Sequence, residues 1–238
     1  MNKKHTYDVV VVGSGPGGYS AALRAAQLGF DTALVEKDKT LGGVCLNVGC
    51  IPSKALLDSS ELYYHARHKM AEHGIDIKDV RLDLSAMMSR KNKVVEELTK
   101  NLRQLLERGG IDIIHGRARV EAPDRVLVTR DEKTGDRDRE LILPARYILL
   151  ATGSEPNRLP GLDFDGKHII TSTQALELDT VPDRLGIVGA GYVGLELGSV
   201  WQRLGSIVTV IEMLPQAAGS ADGQVARTLT RLLKSQGM

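Results

Sequence analysis

Cys45 and Cys50 are the two cysteines of this 238-residue chain, and four residues separate them in the run Leu41-Gly-Gly-Val-Cys-Leu-Asn-Val-Gly-Cys-Ile-Pro-Ser-Lys54. Two thiols this close can carry two electrons as a reversible disulfide, or can serve as small apolar fillers of a core. In a regular helix, residues five apart lie roughly 8 to 9 Å from one another, beyond the ~7 Å over which two Cα atoms can be bridged. If the sulfurs pair, the backbone between them leaves helical geometry. Gly49 permits such a turn, and Pro52 suits the first turn of a helix continuing through Leu57. A thiol near a helix start ionises more readily, because the positive end of the dipole favours thiolate. The two residues alone leave both readings open.

The elements that would position such a pair form an internal repeat. An apolar strand from Tyr7 runs into Gly13-Ser-Gly-Pro-Gly-Gly18, a helix follows, and a second strand ends at Glu36. The same unit recurs from Arg184 through Gly189-Ala-Gly-Tyr-Val-Gly194 to Glu212. A constant offset of 176 residues relates Gly13 to Gly189, Gly15 to Gly191, Gly18 to Gly194, Gly29 to Gly205 and Glu36 to Glu212. In a dinucleotide-binding unit, these glycines serve in turn the tight exit from the strand, the approach of a pyrophosphate and close helix-strand packing. The helix N-terminus offers N–H groups to phosphate, and the terminal glutamates are placed to accept ribose hydroxyls.

The cysteine run, preceded by Gly42-Gly43 and followed by Ile-Pro-Ser-Lys54, resembles the redox-active site of the pyridine nucleotide-disulfide oxidoreductases, and within them the dihydrolipoamide dehydrogenase branch. Val44 stands where many relatives have Thr. The resemblance implies a redox-active Cys45–Cys50 disulfide, with Cys45 as the outer thiol that meets substrate and Cys50 against a flavin. It implies FAD at the first repeat, held by Gly13, Gly15, Pro16, Gly18, Glu36, Lys37, Gly42, Gly43, Val44, Cys45 and Lys54. In relatives the main chain at Arg117-Ala118 touches the adenine, and Thr152-Gly153-Ser154 crosses back over the flavin. NAD is implied at the second repeat, held by Gly189, Gly191, Tyr192, Val193, Gly194 and Glu212. Met213-Leu214 brings no arginine beside Glu212, whose carboxylate would repel a 2′-phosphate, so NAD is favoured over NADP. Lys54 follows Cys50 by about one helical turn, near the flavin ring, with Glu196 as its ion-pair partner in the family.

The implied reaction is oxidation of dihydrolipoyl groups on the carrier domain of a 2-oxoacid dehydrogenase or glycine cleavage complex. Electrons would pass through the disulfide and FAD to NAD. An NADPH-dependent mercuric or glutathione-type reductase shares the cysteine pair. A nucleotide-binding fragment without turnover is the alternative from a different class, because the resemblance covers the N-terminal half of a family member. The returning part of the flavin domain lies beyond it, as does the interface domain that supplies a His-Glu base and the contacts of a homodimer. None of the six histidines falls in a matching motif, so no catalytic base is assigned.

A formal charge of +1 and 42% apolar residues describe a chain with a sizeable core and no bias toward nucleic acid. No stretch is apolar enough to span a bilayer, and the chain is read as cytoplasmic, without a membrane partner. No metal site is expected. Lys91-Asn-Lys93 and Arg137-Asp-Arg139 mix with acids and read as solvated surface. Between the repeats, apolar spacing from Leu84 predicts one long helix stopped by Gly109-Gly110. Short alternating strands follow at 111–114, 117–120, 125–128 and 140–143, with a turn at 131–136. A buried strand from Ala145 then runs into Thr152, and an extended connection over 155–182 carries a short helix near Ser172. The fold class is α/β, with two tandem Rossmann-like dinucleotide-binding domains and a small antiparallel meander: 1–150 as a FAD domain completed by later sequence, and 151–238 as a NAD domain.

Overall fold

The computed structural model describes residues 5–130 and 139–238. The turn expected at 131–136 and most of the run Arg137-Asp-Arg139 lie outside them. The chain forms two compact units, one of residues 1–47 and 95–155 and the other of residues 48–94 and 156–238.

In the first unit, β1 (Tyr7–Val12), α1 (Pro16–Gln27) and β2 (Thr32–Glu36) form a parallel strand-helix-strand motif. Near-continuous Val, Leu and Ala suit strands covered on both faces. β3 (Asp112–His115) adds beside β2, and β6 (Glu140–Leu150) beside β1, both parallel. β4 (Arg117–Ala122), β5 (Arg125–Thr129) and the first half of β6 make the antiparallel meander. The sheet order is β3-β2-β1-β6-β5-β4. Val10, Val12, Ala33 and Val35 of the parallel strands share a core with Val126, Val128 and Leu143 of the meander.

The two strands expected at 140–143 and from 145 are one strand. Pro144 sits where β6 ends its pairing with β5 and begins its pairing with β1, a place where a missing N–H costs no ladder bond. The second half of β6 is also less buried than its apolar run suggests: Tyr147 is 62% and Leu150 64% exposed. Among the described residues this stretch pairs with β1 alone.

In the second unit, β7 (Arg184–Val188), α6 (Tyr192–Leu204) and β8 (Ile207–Ile211) repeat the first motif, followed by α7 (Gly223–Ser235). The registers coincide: Val12 pairs with Val35, and Val188 with Ile211, the residues 176 further on. α3 (Cys50–His68) and the short α5 (Ser172–Ala175) pack on α6. Leu56, Leu176, Val200 and Trp201 are the centre of this core, and the Trp201 indole N–H donates to the Ala175 carbonyl at 3.1 Å. Thr171 and Gln174 close a capping box on α5.

α4 (Leu84–Arg108) begins in the second unit and ends in the first, and Gly110, at φ 71°, stops it as the Gly-Gly pair predicts. Lys91 corrects the solvated reading of its run. Its side chain is 1% exposed, and its ammonium donates to the Leu176 carbonyl at 2.8 Å and to Glu177 Oε1 at 2.5 Å. A long apolar stem can be buried if its charged end finds partners. Among the described residues, no helix is long and apolar enough to cross a membrane.

Candidate functional site

The glycine turn of the first unit is built by backbone bonds. Gly13 takes φ 99° and donates its N–H to the Val35 carbonyl at 2.8 Å. A side chain there would strike the Ala151 carbonyl oxygen, so the segment leading to Thr152, Gly153 and Ser154 passes directly over the turn. Gly18 packs against the Gly13 carbonyl with no room for a Cβ. Pro16 starts α1, and the N-cap Gly15 brings no side chain to its free N–H groups. Nothing lies within 4 Å of the place a side chain would take at Gly17. Open space before unanswered helical N–H groups fits a dinucleotide pyrophosphate.

Glu36, 4% exposed, closes the turn. Its Oε2 accepts from the Ser14 N–H at 2.9 Å and the Ser14 hydroxyl at 2.5 Å, and its Oε1 from the Asp38 N–H at 2.9 Å. The Gly42 N–H donates to both the carbonyl and the hydroxyl of Ser14, each at 3.1 Å. Gly43, at φ 57°, lies against Gly15, where a methyl would come within 2.7 Å of the Gly15 Cα. Lys37 and Val44 are exposed beside these segments. Gly116 donates to the Glu36 carbonyl at 2.8 Å and leads into Arg117 and Ala118 at the start of β4.

The second unit repeats these bonds. Gly189, at φ 100°, donates to the Ile211 carbonyl at 2.8 Å. Glu212 accepts from the Ala190 N–H at 2.7 Å and the Leu214 N–H at 2.9 Å. The Leu214 and Ala190 N–H groups together hold the Glu212 carboxyl below its ordinary value, so it is an anion at neutral pH. Gly194 packs on the Gly189 carbonyl, and nothing lies within 4 Å of a side chain placed at Gly191. Tyr192, 76% exposed, and Val193 open α6. Each glutamate already accepts main-chain N–H bonds, so its first task is to shape the turn. A ribose hydroxyl would be a further donor to the same carboxylate.

The cysteines fall where the helix breaks. α2 (Gly43–Val48) carries a half-buried Cys45, and α3 begins at an exposed Cys50. Gly49 between them has φ −143° and ψ −114°, far from helical values. Cys50, the first residue of α3, is a free thiol in the structure. One turn on, the Lys54 ammonium reaches both Glu196 oxygens at 2.7 Å. Ser53 lies between, its hydroxyl 3.0 Å from the Cys50 carbonyl and 3.2 Å from Glu196 Oε2.

The model of one family, described as pyridine nucleotide-disulphide oxidoreductase, matches residues 7–238. The chain belongs to that family. Within this oxidoreductase family, it is 45% identical over 231 residues to a mitochondrial dihydrolipoyl dehydrogenase of Pisum sativum, covering 97% of this chain and 45% of that protein. It is 49% identical over 234 residues to dihydrolipoyl dehydrogenase 3 of Pseudomonas putida, covering 98% and 49%. The HOCl-induced flavoprotein disulfide reductase RclA from Escherichia coli superposes with a TM-score of 0.77 at 28% identity, over 97% of this chain and 48% of that one. The chain thus spans about half the length of these relatives.

The sequence singles out neither Ser14 nor Ser53. Ser14 is one of three of the six turn positions at which the two repeats differ, and that difference is its only signal. Ser53 carries none, because its role depends on α3 lying beside α6.

Proposed function

We propose that this chain is the dinucleotide-binding half of a dihydrolipoyl dehydrogenase-type flavoenzyme. The observation that carries the reading is the pair of matching glycine turns, the first followed at once by the Cys45–Cys50 run. In this reading residues 1–150 take FAD and residues 151–238 take NAD, with the anionic Glu212 disfavouring NADP. Bound flavin would supply two-electron transfer between thiols and nicotinamide.

The work of the chain's own residues is thiol exchange. A dihydrolipoyl thiolate attacks Cys45 of the Cys45–Cys50 disulfide and forms a mixed disulfide, and Cys50 leaves as thiolate. The second substrate thiol then displaces Cys45, so substrate leaves as the cyclic disulfide and the protein as a dithiol. Two electrons pass on to NAD, and one proton is released. Cys50 sits at the N-terminal turn of α3, at the positive end of the helix dipole. Lys54, fixed by Glu196, holds a positive charge one turn from Cys50. The lipoyl carrier is the partner proposed for the whole protein, in a homodimer placed in the cytoplasm. The Ile-Pro-Ser-Lys54 run and Glu212 support this over an NADPH-dependent reductase of mercuric ion or glutathione.

The test uses the full-length protein. Dihydrolipoamide should reduce NAD at a rate lost in Cys45→Ser and in Cys50→Ser, and oxidised glutathione and mercuric ion should not be turned over. Glu212→Ala should weaken NAD binding and leave bound flavin in place. Turnover surviving in Cys45→Ser, or equal loss of both dinucleotides in Glu212→Ala, contradicts the proposal.

A further inference from the structure

The two turns coincide bond for bond along the main chain. The Gly13 and Gly189 N–H groups reach the carbonyls of Val35 and Ile211. The Ser14 and Ala190 N–H groups reach Glu36 and Glu212. The Asp38 and Leu214 N–H groups reach the same two carboxylates. Gly42 and Ala218 donate back to the carbonyls of Ser14 and Ala190. Every pair is 176 residues apart, so departures from the match isolate what differs between the sites.

One departure is the hydroxyl. Ser14, with no exposed surface, donates to Glu36 and accepts from the Gly42 N–H, so a single oxygen ties the turn, the end of β2 and the segment before α2 together. Ala190 offers a methyl group, and the segment from Met213 to Gly219 is joined to the second turn through Ala218 by one backbone bond of 2.8 Å. Another departure is conformational. The position taken by Gly42 at φ 102° is held in the second unit by Ala218 at φ 52°, a left-handed conformation that strains a residue with a Cβ. Burial differs as well: Glu36 and Gly42 are buried, and their counterparts Glu212 and Ala218 are only half-buried.

We propose that Ser14 is a positioning residue, a clip that shuts the segment from Lys37 to Gly43 over the first turn and makes that site retentive, and that its replacement by Ala190 leaves the second site able to open. The inference rests on the two-site reading above and adds to it a division of labour. A resident dinucleotide belongs where the clip is, and an exchanging one where it is missing. The hydroxyl bonds to a carboxyl oxygen of Glu36, and it does so out of water, where losing the bond leaves a buried partner unsatisfied.

Amide hydrogen exchange on the chain without added ligand tests the clip directly. The Gly42 amide should exchange at least about tenfold more slowly than the Ala218 amide, and Ser14→Ala should remove that difference without altering Ala218. Ala190→Ser supplies the reverse variant: its hydroxyl should slow exchange at Ala218 and slow release of bound NAD. With FAD bound, Ser14→Ala should release flavin about tenfold faster or more, with NAD release unchanged. Unchanged Gly42 protection in Ser14→Ala overturns the proposal, as does an Ala190→Ser chain whose Ala218 amide and NAD release match the parent. If neither dinucleotide binds the full-length protein, the two-site reading fails, and the exchange rates at Gly42 and Ala218 still decide whether the clip exists.

Discussion

Gly191 and Gly194 stand three residues apart in one turn, and the structure gives them opposite duties that an alanine at each can separate. At Gly194 an added Cβ falls on the Gly189 carbonyl oxygen and comes within 2.9 Å of Ile187 Cγ2. The carbonyl cannot yield easily, because Gly189 is itself bonded to Ile211 at 2.8 Å. Overpacking of this kind costs about 1–3 kcal/mol, and contact with backbone places Gly194→Ala at the upper end. That is a large part of the roughly 5–15 kcal/mol that holds a typical domain folded. Gly191 has φ −76° and ψ 174°, open to any residue, with nothing within 4 Å of its missing side chain. Gly191 is the N-cap of α6, where alanine is poorer than glycine, so Gly191→Ala should cost about 0.5–1 kcal/mol, less than Gly194→Ala. Its methyl would occupy the space proposed for a pyrophosphate, and the same overpacking cost would be paid by the ligand, roughly five- to hundredfold in Kd. Trp201, the single tryptophan and fully buried in the second unit, reports unfolding of that unit by fluorescence in urea, and an NAD titration reports the site. A Gly194→Ala chain unfolding at the parent midpoint would defeat the packing argument. Unimpaired NAD binding by Gly191→Ala would remove the turn as the cradle.

Two further outcomes concern groups outside the turns. Lys91→Met keeps the buried stem but strands the Leu176 carbonyl, and should cost about 1–3 kcal/mol by Trp201 fluorescence. Glu177→Gln should cost less than about 1 kcal/mol, because Glu177 is 55% exposed; equal losses would show that the ion pair, not the carbonyl, governs the site. Asp165 accepts from the N–H groups of Lys167, Ile169 and His168, and these bonds lower its carboxyl to about 2. Because its folded value lies below its unfolded one, its support of the loop is complete above the ordinary value of 3.8 and is lost as pH falls toward about 2. An NMR titration of the three amides should find that low midpoint, and a midpoint near 4 would show that the bonds do not persist in solution.

Much of the site was legible because its determinants are local. A glycine that must turn left-handed, as at Gly13 and Gly189, or leave no Cβ, as at Gly18 and Gly194, is visible as a residue type at a fixed spacing. The helix break between the cysteines followed from Gly49, and the end of α4 from Gly109-Gly110. Lys91 was misread because composition distinguishes a solvated lysine from a buried one only when its partners are known, and Leu176 and Glu177 lie far along the chain. The Ser14 clip was hidden for the same reason: a serine announces no partner, and Glu36 and Gly42 meet it only when β2 lies beside β1.

The repeat marks the boundary most sharply. Residue order alone determined two strand-helix-strand motifs, their common register and the glutamate that ends each, since all of these depend on φ, on Cβ clearance and on short-range bonds. It could not determine their burial. Val12 is 8% exposed and its counterpart Val188 is 59%; Val35 is 1% and Ile211 is 60%. In the first unit β3 and β6 flank the pair and the meander covers a face, whereas in the second β7 and β8 pair with each other alone among the described residues. Local geometry is a property of the segment, and removal from water depends on the neighbours that assembly brings to it.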